Sequence, residues 1–161
     1  MPRTWRWFAL AAGIVVADQL VKWVILNYFV PGERRELTQF FNLVLVFNRG
    51  AAFSFLAEAD GWQSPLLTAF ALAAAAVVSV FIFRSPEKKI LCAGLALILG
   101  GALGNVIDRL RFGHVVDFLD LHAFGAHWPA FNVADSAITV GAALLILEGF
   151  VHRERRPDAA A

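Results

Sequence analysis

Four long apolar runs divide the chain, at about 5–28, 65–83, 90–107 and 133–151. Each holds roughly 18–24 residues, enough at 1.5 Å per residue to cross a hydrocarbon layer of about 30 Å. The pattern predicts an all-α membrane protein with four transmembrane helices, folded as a single integral membrane domain over 1–161. The first run is too long for the core of a cleaved signal peptide, and Asp18-Gln19 is no small-residue cleavage site, so it reads as a retained helix. Pro31-Gly32 ends that helix, and Pro65 suits the first turn of the next. Two longer segments, 29–64 and 108–132, separate the runs. Stretch 37–56, LTQFFNLVLVFNRGAAFSFL, lacks a helical period. Its β-prone run at 43–47 and the alternation Phe53-Ser54-Phe55 predict a small β-sheet on the outer membrane surface, with Gly50 at a turn or a close backbone approach. The tail from Arg153 is polar, then alanine-rich, and reads as frayed.

Charge position orients this frame. Arg3 and Arg6 precede the first run, Arg84, Lys88 and Lys89 link the second to the third, and Arg153, Arg155 and Arg156 follow the fourth. With four spans these regions share one side, expected to be cytoplasmic together with both termini, which leaves 29–64 and 108–132 as periplasmic segments. Arg34, Arg35, Arg49, Arg109 and Arg111 fall on the opposite side, so the bias is incomplete. Trp62 and Trp128 fit an outer aromatic belt, and Trp5 and Trp7 an inner one. The composition agrees: 59% of the 161 residues are hydrophobic and 17% charged, against about 25% charged in soluble domains. A net charge of +1 gives no reason to expect a nucleic-acid partner. The single cysteine, Cys92, excludes an internal disulfide or a cysteine-based zinc site and reads as a small buried residue.

Ionisable residues beside these runs are costly, so they are the candidates for chemistry. Asp117 lies in His-Val-Val-Asp-Phe (114–118), wrapped in apolar neighbours, where a buried paired role competes with a chemical one. Asp135 follows Asn132 by three residues at the start of the fourth run. That spacing suits an N-cap with an acid at the third helical position, and it does not exclude chemistry. Two such carboxylates at one membrane edge could share a proton and activate water. Asn105, Asp108 and Arg109 share a helix face, with Asp108 expected to pair with Arg109, Arg111 or another cation. Asp18 and Lys22 form an i, i+4 pair, structural or lining a cleft. Asp120 reads as an exposed loop residue. Gly100 and Gly104 are a small-xxx-small packing signal. Two other functions stay open on these residues: a proton- or cation-coupled transporter relaying through Asp18, Asp108, Asp117 and Asp135, and a zinc hydrolase using His114, Asp117, Asp120, His122 and His127. Three of the four carboxylates cluster at one interface rather than across the membrane, against the first. The histidine spacing matches no compact metal motif, against the second.

Five motifs in order resemble the bacterial lipoprotein signal peptidases (signal peptidase II). They are Asp18-Gln19-Leu20-Val21-Lys22, Phe47-Asn48-Arg49-Gly50-Ala51-Ala52-Phe53-Ser54, the 100–109 segment GGALGNVIDR, Val115-Val116-Asp117-Phe118 and Phe131-Asn132-Val133-Ala134-Asp135-Ser136. The resemblance implies a membrane aspartic endopeptidase of the bacterial inner membrane, with its site at the periplasmic face. It implies cleavage before the diacylglyceryl-modified cysteine of prolipoproteins, with no metal or other cofactor, by a monomer. It makes Asp117 and Asp135 the catalytic pair. The supporting set becomes Asp18, Lys22, Asn48, Gly50, Asn105, Asp108, Arg109, Asn132 and Ala134, with Asn105 and Arg109 as substrate contacts and Asp108 as a structural partner of arginine. Segment 37–56 becomes a cradle over the cleft, with Phe53 and Phe55 facing lipid or substrate.

Overall fold

A computed structural model of the chain describes residues 4–50 and 62–154. The sequence-predicted positions Arg3, Phe53, Ser54, Phe55, Arg155 and Arg156 lie outside them. Four helices are long and apolar enough to cross a membrane: α1 (Trp5–Tyr28), α2 (Gln63–Arg84), α3 (Lys89–Phe112) and α4 (Val133–Glu154). They match the four apolar runs. The largest difference is at the end of α3, expected near 107, which continues through Asp108 and Arg109 to a left-handed C-cap at Gly113 (φ +76°). Asp108 is buried and partnered there, so the helix does not need to stop at its first charge.

α3 is the hub. Within its apolar window 56% is buried inside the molecule, against 22%, 17% and 17% for α1, α2 and α4. Those three therefore turn most of their side chains outward, as helices in lipid do. The packing signal in α3 is real. A Cβ added at Gly100 would stand 2.7 Å from the Ala11 carbonyl of α1, and one at Gly104 would stand 2.8 Å from Asp18 Oδ2. At one level of the bundle the contacts are apolar, among Ala11, Ala75, Ile82, Leu95 and Leu99. Toward the ends of α1 and α3 nearest the sheet they become polar.

The sheet has four antiparallel strands in the order β1 (Arg34–Thr38), β2 (Phe41–Asn48), β3 (Val115–Ala123), β4 (Ala126–His127). Of these only β2 was legible, from the β-prone run at 43–47. Segment 115–123, read only as apolar surroundings for Asp117, is a strand pairing with β2, with Val46 opposite Asp117 and Asn48 opposite Val115. Its burial is nearly continuous from Val115 to Asp120, so the polar–apolar alternation that marks a half-exposed strand is missing. Ile25, Leu45, Val116 and Phe118 form the core that seats the sheet on the end of α1 and the start of α4. Asp120 is a second correction. It is buried, accepting from Asn42 Nδ2 (2.8 Å) beside His127 Nδ1 (2.8 Å). Burial opposes its charge, but the donors Asn42 and His127 outweigh burial and hold its carboxyl below the usual range.

Candidate active site

The site lies where α1, α3, α4 and the β2–β3 pair meet. Asn132 is its joint. Its Oδ1 accepts from the Asp135 N–H (2.9 Å), while its own N–H donates to Asp135 Oδ2 (3.2 Å). This reciprocal cap fixes the start of α4, as the spacing predicts. Because Asn132 Oδ1 is committed to the helix end, its amide nitrogen turns the other way. Asn132 Nδ2 donates to Asp117 Oδ1 at 2.7 Å, with longer contacts to Asn105 Oδ1 (3.2 Å) and the Val116 carbonyl (3.3 Å). One side chain thus ties Asp135 and Asp117 together.

Each carboxylate has a further amide donor. Asn48, at the end of β2, donates to Asp117 Oδ2 (3.0 Å) and accepts from the Gly50 N–H through its Oδ1. Asn105, on α3, donates to Asp135 Oδ1 at 2.8 Å. Its orientation is set from behind: Lys22 Nζ donates to Asn105 Oδ1 (3.0 Å), so only the NH₂ is left to face Asp135. Lys22 also pairs with Asp18 Oδ2 (2.8 Å) and Asp108 Oδ2 (2.7 Å), all three side chains being buried. Three acceptors satisfy the three donors of an ammonium group.

Both aspartates of that cluster also hold backbone. Asp18 Oδ1 accepts from the Ala134 N–H (2.9 Å), and Asp108 Oδ2 from the Val116 N–H (3.0 Å). These bonds place the residues adjacent to Asp135 and Asp117. The cation beside Asp108 is thus Lys22, not an arginine as the resemblance implies. Arg109 reaches across instead to the Gly50 carbonyl (Nη2–O 3.4 Å), and its buried Nε has no hydrogen-bond partner.

A cavity of about 830 Å³ opens on this joint. Asp117, Asp135, Asn48, Asn105 and Arg109 line its polar wall, and Ile138 and Val140 of α4 with Phe131 line its apolar one. Among the described residues no Lys or Arg lies within ion-pair distance of Asp117 or Asp135. Burial pushes the Asp117 carboxyl up to about 7, and the nearby charge of Asp135 adds to the shift against the opposing pull of Asn48 and Asn132.

All the sequence-predicted site residues therefore fall in one connected network: Asp18, Lys22, Asn48, Gly50, Asn105, Asp108, Arg109, Asp117, Asn132, Ala134 and Asp135. Gln19 was not singled out and belongs to it. Its Nε2 donates to Asp108 Oδ1 (2.8 Å) and the Gly104 carbonyl (3.2 Å). A second polar residue beside Asp18 in an apolar helix was the signal for it. The cavity wall at 128–130 lies outside the five motifs and was not foreseen. Of the three outer histidines, His127 meets Asp120 alone, away from the Asp117–Asp135 pair. His114 stacks on Phe47, while His122 and His127 stack on each other. Among the described residues no three His, Cys, Asp or Glu side chains form a metal-binding group.

Comparison with known proteins bears on what such a site does. The family described as signal peptidase (SPase) II matches residues 10–151. A lipoprotein signal peptidase of Ralstonia nicotianae is 57% identical over 88% of this chain and 82% of its own length. Another, of Paraburkholderia phytofirmans, is 56% identical over 88% of this chain and 83% of its own length. Among solved structures, a bacterial membrane enzyme determined in meso at 2.3 Å superposes with a TM-score of 0.83 at 27% identity, covering 97% of this chain and 93% of its own. A second such enzyme, at 1.9 Å, gives 0.78 at 30% identity, covering 89% and 91%.

Proposed function

The chain belongs to the signal peptidase II family, and from that premise we propose that it is an aspartic endopeptidase acting on diacylglyceryl-modified prolipoproteins. Family membership supports a peptidase that removes signal peptides from prolipoproteins, and four apolar helices support a multi-pass bacterial membrane protein. Our reading adds the chemistry: Asp117 and Asp135 activate water and cut the bond before the lipidated cysteine, at the periplasmic face of the inner membrane. The observation that carries it is the Asn132 joint, which ties both carboxylates to one residue on the wall of one cavity, with no Lys or Arg among the described residues at ion-pair distance from either.

Near neutral pH the Asp117 carboxyl, raised to about 7, holds the shared proton. Asp135 is then the base. It takes a proton from water, whose oxygen bonds to the scissile carbonyl carbon, while Asp117 gives its proton to the carbonyl oxygen. Collapse of the resulting diol breaks the C–N bond. Asp135 returns its proton to the leaving nitrogen, and Asp117 recovers one from the diol. Asn105 and Asn48 each hold one oxygen of the pair, which restrains the rotation of both carboxyl groups. The Arg109 guanidinium, with its Nε free, is a donor for a substrate carbonyl. Ile138 and Val140 let the lipid chains remain on the bilayer side, so that binding energy far from the reacting bond positions it.

The proposed enzyme works as a monomer and without a metal or cofactor. The test is cleavage of a diacylglyceryl prolipoprotein by Asp117→Asn and Asp135→Asn variants that still accumulate in the membrane. Neither cleaves, on this reading. Full activity in either removes the dyad while leaving family membership untouched.

A further inference from the structure

The tip of the β3–β4 hairpin bears two costs that nothing among the described residues offsets. Ala123 pairs with Ala126, so the turn consists of Phe124 and Gly125 alone. Both have positive φ, +53° and +80°. This is the two-residue arrangement that favours Asn-Gly, and a bulky side chain at its first position is strained. Phe124 is also fully exposed, at 109% of its reference area, so its ring is buried against no part of the molecule. A strained residue held in place without internal contacts points to an external one.

The surroundings say which. Leu121 and Trp128, the latter bonded to Leu121 through its backbone N–H (2.7 Å), expose 43% and 58% of their area beside the tip. Trp128 lies five residues before Val133, where the α4 membrane span begins. The apolar rim is therefore continuous with the edge of a transmembrane helix, where tryptophan is the expected anchor. We propose that Phe124 inserts into the outer-leaflet interface of the bilayer and anchors the hairpin. Strand β4 runs straight into 128–131, part of the cavity wall, so the anchor holds the cleft mouth at the level of the acyl chains. The inference rests on the membrane spans and not on the reaction.

The experiment is nitroxide depth measurement on full-length protein in phosphatidylcholine vesicles. In a Cys92→Ala background, labels are placed singly at Phe124→Cys and, as a reference on the exposed strand β1, at Glu36→Cys. The label at 124 collides more with oxygen than with a water-soluble nickel chelate, and the label at 36 does the reverse. A label at 124 open to nickel, or shielded from both reagents as under a protein partner, overturns the proposal. A second arm places the label at Ala126→Cys and adds Phe124→Asn, which suits the turn better than phenylalanine does. The label then shifts toward nickel. An unchanged balance shows that Phe124 is not the anchor. Neither arm needs peptidase activity, so failure of the anchor and failure of the dyad are distinguishable.

Discussion

Asp18 and Asp108 on one side, and Asp117 and Asp135 on the other, are two carboxylate pairs a few bonds apart with opposite electrostatic solutions. The first pair closes on Lys22, and Asp18 Oδ1 and Asp108 Oδ2 also bind the Ala134 and Val116 amides. Both of its carboxylates lie against the one ammonium and face protein. Among the described residues the second pair has only asparagine side chains and backbone N–H as hydrogen-bond donors, with Arg109 on the same wall beyond ion-pair distance, and it faces a cavity of about 830 Å³. Burial cost is common to both and so does not separate structure from chemistry; a cation in direct contact does. A buried carboxylate closed on a cation is a structural tie. Two without one, close together, favour sharing a proton.

The largest test of this contrast exchanges charge for amide in each pair. Asp117→Asn or Asp135→Asn costs on the order of 10⁴-fold or more in kcat for a diacylglyceryl prolipoprotein. The thermal midpoint of the purified protein changes little, since the amide keeps the size of the carboxyl it replaces. In the cation-bound pair the damage goes to stability. Lys22→Met strands two buried carboxylates and costs roughly 3–5 kcal/mol, as for other broken buried pairs. Adding Asp108→Asn restores part of it in a thermal melt. A melt of Lys22→Met equal to wild type would show that the first pair needs no cation, and the contrast would collapse.

Packing gives a smaller effect that links the two pairs. Gly104→Ala directs a Cβ to within 2.8 Å of Asp18 Oδ2 and 3.3 Å of the Ala134 Cβ, forcing α1, α3 and α4 apart. Overpacking of this kind costs about 1–3 kcal/mol, and cleavage falls because Ala134 neighbours Asp135. Gly13→Ala, with nothing within 4 Å, changes neither.

The pH dependence is the subtlest. Asp117 has a folded pKa of about 7, above the 3.8 of an ordinary aspartate. The folded state binds a proton that the unfolded chain has released, so this group's contribution to stability falls as pH rises from about 4 toward 7. Cleavage falls as pH passes above about 7, because the acid partner is lost. A rate that climbs through that range in a pH profile assigns the proton elsewhere.

The helices were legible because four apolar runs of membrane length leave little choice, and α3 outran its expected end only because its charges are partnered. The capping role of Asn132 and Asp135 could be read from local spacing, since a cap is a local device. Two readings failed for one physical reason. Strand β3 and the buried Asp120 depend on partners more than seventy positions away in β2, such as Asn42, and burial on both faces of β3 erased the alternation that would have marked it. The role of Lys22 in orienting Asn105 was invisible for the same reason: the i, i+4 pairing with Asp18 is local, whereas the bond to Asn105 joins two helices. Which aspartates to pair came from the order of the motifs, and burial cost alone would have nominated Asp108 as readily as Asp117.

The most direct test of the shared-proton pair is the separation of the Asp117 and Asp135 carboxylates in an experimental structure of the protein bound to an uncleavable lipopeptide. The account predicts facing oxygens that can both reach one water, each within about 2.6–3.2 Å of it, with the scissile carbonyl on the same side. A separation too wide for one water to bridge, with the lipopeptide seated in the cavity, would contradict it.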